Sequence, residues 1–289
     1  MSEAPSGAPS TARREIDALL HTALWTATCR ADEATRASPL VVDPFAGRLC
    51  GPEGLAIGRA LEREGRAHTA ILVRTRVIDE RIAAAVVADG IRQVALLGAG
   101  LDARAFRLAL PPRMRWLEVD FPETVAWKRE RLPEAPVGLE HELHALDLRS
   151  TVALGELLDR FAGDERVLVV LEGVVPYLSP AEAEALLGML AARKVTVLCD
   201  LGGGAWGAAI ARSTARVVAG QGAPFRTRIG DPAAWLERIG FRVTANVSLV
   251  DWDAARTDRR WNVPWTARVF PGYRDAARVL EAVTRATQP

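Results

Sequence analysis

Apolar residues repeat with two different periods along this chain, and the change falls near residue 90. Before it, Leu19, Leu20, Ala23, Leu24 and Ala27 recur at helical spacing, as do Ile71, Val77, Ile78 and Ile82 within 66–88. Ser38-Pro39, Asp43-Pro44 and Gly51-Pro52 punctuate the chain between them. After it, short β-branched apolar runs take over at 94–97, 116–119, 143–148, 167–171, 195–201 and 241–250, separated by helical stretches. Such alternation predicts βαβ units: an α/β fold whose mostly parallel sheet is covered by helices on both faces. The segment 265–270 reads as a seventh strand and 273–286 as a closing helix.

Several helices announce their starts. Ser179-Pro180-Ala181-Glu182 is a capping box with proline at the first helical position, followed by the stripe Ala183, Leu186, Leu187, Leu190. Asp231-Pro232 opens another helix, and Gly240 closes it. Residues 1–10 are small, polar and Pro/Gly-rich, which predicts a disordered leader. The expected organisation is therefore that leader, a helical cap over 11–90, and a core over 91–289 with a lid insertion at about 202–230. There is no internal repeat.

Composition narrows the function classes. Lys and Arg total 37 against 36 for Asp and Glu, which leaves no basic footprint for nucleic acid or an anionic membrane. A small or neutral partner is expected instead. Cys29, Cys50 and Cys199 are few, odd in number and widely spaced, which fits neither a disulfide framework nor a structural metal site. No signal-peptide pattern and no apolar run near the roughly 18 residues of a membrane span is present. A cytoplasmic protein follows from this reading.

Chemistry concentrates at strand ends. A buried strand runs into Gly98-Ala99-Gly100, where the absence of Cβ permits a sharp turn and close ligand approach. The next strand ends in Asp120, 22 residues after Gly98, the placement of a carboxylate that accepts both ribose hydroxyls of an adenosine. Its plainer role is to cap the helix opening at Phe121-Pro122. Asp147-Leu148 closes the third strand and can meet an adenine amine and ring face, or simply cap a loop. Glu172 follows four apolar residues. There it accepts either from a cofactor ammonium or from a structural ion-pair partner. A nicotinamide-dependent oxidoreductase competes with this reading, but the third glycine of its fingerprint is replaced by Ala103.

Five stretches, in order, carry a resemblance. Leu97-Gly98-Ala99-Gly100-Leu101-Asp102-Ala103-Arg104-Ala105-Phe106-Arg107-Leu108 resembles the signature loop of leucine carboxyl methyltransferase-like proteins. These are S-adenosylmethionine-dependent enzymes of class I, some of which act on polyketides. Thr26 to Glu33 with Asp43-Pro44-Phe45-Ala46 resembles the family's N-terminal region. Arg74-Thr75-Arg76-Val77-Ile78-Asp79 resembles its arginine helix. Glu118-Val119-Asp120-Phe121-Pro122 and Glu172-Gly173-Val174-Val175-Pro176-Tyr177-Leu178 resemble its second- and fourth-strand motifs. Where the family loop carries Thr, this chain has Ala103.

The resemblance implies a Rossmann-like, mostly parallel seven-stranded sheet with an N-terminal helical extension, and S-adenosyl-L-methionine as cofactor. Arg74, helped by Arg30, would hold the methionine carboxylate. Gly98, Ala99 and Gly100 would line the cofactor, Asp120 and Phe121 would bind its ribose side, and Asp147 and Leu148 would frame adenine. Glu172 and Gly173 would sit near its amino-acid end, with Tyr177 toward the acceptor. Trp206 and Arg226 are further candidates for the acceptor side.

The chemistry expected is O-methylation, forming a methyl ester on a carboxylate of a small metabolite or peptide; such an acceptor is already anionic and needs no general base. A hydroxyl of a polyketide-type product is the alternative acceptor, and a non-catalytic binding module the alternative to an enzyme. His141 and His144 lie three apart on a strand, hence on opposite faces, and are read as structural rather than metal ligands. His21 and His68 are isolated.

Overall fold

Four apolar runs and one half-buried edge run pair side by side because none can satisfy its backbone alone. In the computed structural model, which describes residues 11–65, 68–203, 225–257, 274 and 276–285, they are β1 (Gln93–Leu97), β2 (Met114–Asp120), β3 (Leu139–Ala145), β4 (Val167–Leu171) and β5 (Val195–Leu201). All neighbours among these five are parallel. With β6 (Phe241–Ser248) and β7 (Arg278–Thr284) the sheet has seven strands in the order β3-β2-β1-β4-β5-β7-β6. The strand order reverses between β1 and β4, and open α/β sheets bind ligands at the carboxyl ends beside such a switch point.

Helices α4 (Arg104–Arg107), α5 (Pro122–Arg129), α6 (Thr151–Ala162), α7 (Pro180–Ala191), α8 (Pro232–Ile239) and α9 (Leu249–Ala254) connect the strands. The capping box forms as expected: the Ser179 hydroxyl accepts from Glu182 N while the Glu182 carboxylate accepts from Ser179 N. One core layer packs α6 and α7 on the sheet through Leu154, Leu158, Phe161, Leu186 and Leu190. The other packs α3 (His68–Ala88) on the opposite face through Val73, Val77, Ile78 and Ile82. Ahead of it lie α1 (Thr11–Glu33) and α2 (Ala46–Gly65); α2 is broken at Gly51, where φ is 66° and Pro52 follows. No helix among the described residues is long and apolar enough to cross a membrane.

Three strand assignments need correction. The expected helix over 273–286 is instead β7, antiparallel to both β5 and β6. Its Arg-Val-Leu-Glu-Ala-Val-Thr mixes helix-favouring Leu, Glu and Ala with Val. Two ladders of partners override that local preference, and burial of Val279, Leu280, Glu281 and Ala282 on both faces erases the alternation of a strand. The third strand is Leu139–Ala145 rather than 143–148, so Asp147 and Leu148 stand in the loop beyond its end. It is an edge strand, half-buried, and therefore lacks a continuous apolar signature. The run 241–250 is a strand only to Ser248, whose hydroxyl caps α9 by accepting from Asp251 N. The expected strand at 265–270, the leader 1–10 and most of the expected lid, 204–224, lie outside the described residues.

Candidate functional site

A cavity of about 390 Å³ opens over the carboxyl ends of β1, β2, β4 and β5, roofed by α1 and α3. Its floor begins where β1 ends. Gly98 takes φ +73°, and a Cβ there would lie 2.6 Å from Val174 Cγ2. Gly98→Ala is therefore expected to cost about 1–2 kcal/mol from the left-handed backbone alone, with a further loss as Val174 is displaced into the cavity. Urea unfolding alongside ligand titration reads both.

Asp120 closes β2 and faces this turn. Its two oxygens accept 2.7 Å hydrogen bonds from Gly100 N and Phe121 N. Burial raises its pKa against the opposing pull of the two amides, the Thr124 hydroxyl and the more distant Lys128 ammonium; the groups that bond to it directly are neutral. A half-buried carboxylate held by neutral donors at a cavity wall retains lone pairs for a diol. Asp120 is not the helix cap expected from the sequence: Phe121 stands at the N-cap of α5, and no side chain caps that helix.

Ala99, Phe121, Asp147 and Leu148 line the same wall. Asp147 departs from a free adenine contact: Arg149 Nε lies 2.8 and 3.0 Å from its oxygens, which holds its pKa down against the effect of burial. Leu148 is buried beside Gly98 and presents a ring-sized apolar face.

The tip of β4 carries the charge. Glu172 accepts from Arg74 Nε at 2.9 Å and from Arg104 Nη1 at 2.6 Å. Burial alone would raise its pKa; the guanidiniums of Arg104 and Arg74 outweigh that and hold it at about 2. So Glu172 is both an ion-pair partner and a cavity wall. Gly173, at φ +66°, lets Arg74 pass close: a Cβ there would be 3.6 Å from Arg74 Nη1. Arg74 Nη1 also meets Asp200 Oδ2 at 2.9 Å. Arg30, buried on α1, spends Nε on Asp43 (2.9 Å) and Nη2 on the Leu101 carbonyl (2.7 Å), pinning α1 to the glycine turn.

Sequence reasoning missed two groups. Asp200 closes β5 and binds both Arg74 and the Gly173 amide, the latter at 2.6 Å. The rule that found Asp120 and Glu172, an acidic residue ending an apolar run, applies equally to Leu198-Cys199-Asp200. Arg104, 1% exposed, is clasped by Asp79, Asp102 and Glu172. No pattern announces it, because an arginine at a helix start reads as a surface charge.

At the glycine turn the cavity wall carries the carboxylates of Asp102, Asp120, Glu172 and Asp200 beside the guanidiniums of Arg30, Arg74 and Arg104, while Arg149, Arg226, Arg228 and Arg278 line the remainder with Asp147 and Glu182. The carboxylates thus gather at the strand tips, where they suit a cationic group of a ligand.

On the far side Tyr177 stacks edge-on against Phe225, centroids 5.1 Å apart, and its phenol bonds to Thr22. Arg226 is exposed at the cavity rim, with its backbone N donating to the Pro176 carbonyl at 2.7 Å. Trp206 lies outside the described residues. His141 and His144 stand apart as read: His141 Nε2 is 3.3 Å from Glu118 Oε1, and His144 Nε2 is 3.1 Å from Glu142 Oε2.

The fold recurs in solved structures. A DUF574 family protein from Streptomyces avermitilis superposes with a TM-score of 0.58 at 17% identity, covering 83% of this chain and 95% of that one. A candidate methyltransferase from Thermobifida fusca gives 0.60 at 15% identity, covering 83% and 93%. In sequence, a candidate S-adenosyl-L-methionine-dependent methyltransferase from Parafrankia sp. is 40% identical over 177 residues, 57% of this chain and 56% of that protein. A similarly named protein from Mycobacterium tuberculosis is 34% identical over 190 residues, 59% and 60% of the respective chains. The chain thus spans a little more than half the length of the curated relatives it matches. Residues 23–191, which include the glycine turn, Asp120, Glu172 and Arg74, match the family description "Leucine carboxyl methyltransferase". The chain belongs to the leucine carboxyl methyltransferase family.

Proposed function

We propose that this protein is an S-adenosyl-L-methionine-dependent O-methyltransferase that esterifies a carboxylate. The observation that carries the cofactor assignment is the pair of carboxylates at strand tips beside the glycine turn, Asp120 and Glu172, lining one cavity within the segment that matches the family. S-adenosylmethionine has an ammonium and a sulfonium against one carboxylate. A nicotinamide dinucleotide would instead bring a pyrophosphate beside the carboxylates of the strand tips, and the relatives lend that alternative no support.

Asp120 would accept the ribose hydroxyls, with Leu148 covering one face of the base. Glu172 would accept from the ammonium. Arg74, whose Nε and Nη1 are committed to carboxylates, has Nη2 left among the described contacts for the methionine carboxylate. Arg30 and Asp200 act as positioning residues, fixing α1 and Arg74 respectively. Bound cofactor would supply a sulfonium methyl: a lone pair on the acceptor oxygen forms the C–O bond while the C–S bond breaks and keeps its electrons on sulfur. The chain's share is placement, for which orientation alone supplies on the order of 7–11 kcal/mol.

A carboxylate acceptor is favoured over a hydroxyl because the carboxylates nearest the acceptor end are engaged by the protein, Asp200 by Arg74 and the Gly173 amide and Glu182 by the Ser179 amide. Burial pushes the Tyr177 phenol up to about 12, so it is protonated at neutral pH. Glu172, at about 2, is a poor proton acceptor. Thr22, Trp25, Ile71 and Phe225 offer none. Incubation with isotopically labelled S-adenosylmethionine and a panel of acids and alcohols tests this. The expected product gains one methylene in mass and loses it under mild base. A base-stable product would assign the activity to hydroxyl methylation.

A further inference from the structure

We propose that the acceptor is an apolar monocarboxylic acid, with an alkyl or aryl body seated in a chamber of Leu19, Trp25, Ile71, Tyr177, Leu178 and Phe225. This rests on the methyl-ester reading above and names its substrate class.

The chamber is what remains of the cavity once the strand tips have been assigned. From β3 to β4, Asp147, Asp120, Gly98 and Glu172 form a polar track in the order of the sheet. Beyond the β4 tip the cavity continues between α1, α3 and the chain at 225–229, and its character changes. Leu19, Tyr177 and Phe225 there pack against the apolar cluster of Ala18, Trp25, Leu61 and Ile71.

The polar side chains on these walls are engaged by the protein: the hydroxyls of Thr22, Thr26 and Thr227 donate to the carbonyls of Leu19, Ala23 and Leu178. Trp25 Nε1 donates to Glu62 Oε2 at 2.8 Å, and the Tyr177 hydroxyl bonds to Thr22. Glu62 is itself fixed from behind, accepting from His68 N at 3.0 Å and from Cys29 Sγ at 3.6 Å. The indole is thereby locked as a wall that presents ring rather than donor. Against these side chains a second charge or a polar backbone on the substrate would be desolvated at a cost that apolar carbon avoids; Arg226 and Arg228, the cations of the 225–229 segment, are exposed at the rim. The guanidinium of Arg74 and the phenol of Tyr177 stand at the boundary between the two regions, so a carboxylate head at the β4 tip places its body in the chamber.

Two measurements separate this proposal from the one beneath it. S-adenosylhomocysteine binding by calorimetry reports on the cofactor site without any acceptor. Straight-chain acids from butanoic to dodecanoic, 3-phenylpropanoic acid, glutaric acid and glutamate are then titrated into the S-adenosylhomocysteine complex and assayed for methyl ester with S-adenosylmethionine. Affinity and kcat/KM should rise about fourfold per methylene, from ~0.8 kcal/mol per buried CH₂, until the chamber is full. Glutarate and glutamate should fall at least tenfold below pentanoate. Ile71→Trp, which fills the chamber without touching the strand tips, should move the optimum to shorter chains while S-adenosylhomocysteine still binds.

Affinity independent of chain length, or equal turnover of glutarate and pentanoate, would overturn the apolar chamber while the methyltransferase assignment stands. An optimum unmoved by Ile71→Trp in a folded protein that binds S-adenosylhomocysteine would overturn it too. Failure of S-adenosylhomocysteine to bind would remove the cofactor reading itself.

Discussion

Replacing Asp120 by alanine is expected to weaken S-adenosylhomocysteine binding by about a hundredfold to ten-thousandfold. The substitution removes two hydroxyl-to-carboxylate hydrogen bonds, each worth roughly 1.5–3 kcal/mol because one partner is charged, and each 1.4 kcal/mol is a factor of about ten in affinity. The fold should tolerate it. The Gly100 and Phe121 amides that now donate to Asp120 border the cavity, so water can replace the carboxylate as their acceptor. Asp120→Asn, which keeps one carbonyl acceptor, should fall between the two. Calorimetry gives the affinities, and circular dichroism with urea unfolding shows whether the protein remains folded. A folded Asp120→Ala variant with wild-type affinity would remove the ribose assignment and, with it, the orientation of the ligand along the strand tips.

That assignment was legible in the sequence because it depends on local rules. A glycine turn after a buried strand, and a carboxylate ending the next, occupy positions that chain geometry dictates whatever lies around them. Asp120, Glu172 and Gly98 were found in this way, and all line one cavity. Arg74 and Arg30 were reached only through resemblance, since a helix-borne arginine reads as solvated until its neighbours are known. Arg104 illustrates the limit: its three carboxylate partners come from α3, from the glycine turn and from β4, between 2 and 68 residues away. β7 shows the same limit in the fold. Its pairing with β5 and β6 lies far along the chain and reverses the helical preference of Leu280-Glu281-Ala282.

The alternating charges at the β4 tip join fold and site. Arg104 and Arg74 both grip Glu172, and Asp200 holds Arg74 against the Gly173 turn. A buried network of this kind is costly to leave half-satisfied, so the helices that bring Arg74 and Arg30 are fixed by the same ion pairs that shape the pocket. The helical cap is thus part of the site.

Lys128→Met is expected to destabilise the protein by about 3–5 kcal/mol, the typical cost of stranding a buried charge. Lys128 on α5 is 1% exposed and contacts the Glu118 carboxylate on β2, which is 0% exposed. Burial tends to raise the Glu118 pKa, and the Lys128 ammonium, with help from His141, more than offsets it, leaving the value below that of an ordinary carboxylate. A depressed carboxylate contributes stability that is fully present above its unfolded pKa and is lost as pH falls through the folded one. The wild type should therefore lose this contribution only under acid conditions.

Without Lys128 the sign reverses. Burial of Glu118 is then opposed only by His141, whose Nε2 is 3.3 Å from Glu118 Oε1. The folded-state carboxylate pKa rises, protonation relieves the stranded charge, and stability should increase as pH falls from about 8 towards 5. Glu118→Met combined with Lys128→Met should recover most of the loss, since an apolar pair of similar volume removes both desolvation costs. Urea unfolding of the four proteins at pH 5 and pH 8 gives the coupling energy directly. A loss below about 1 kcal/mol, or a pH slope with the wild-type sign, would show that the ammonium is not what holds Glu118 ionised in the core.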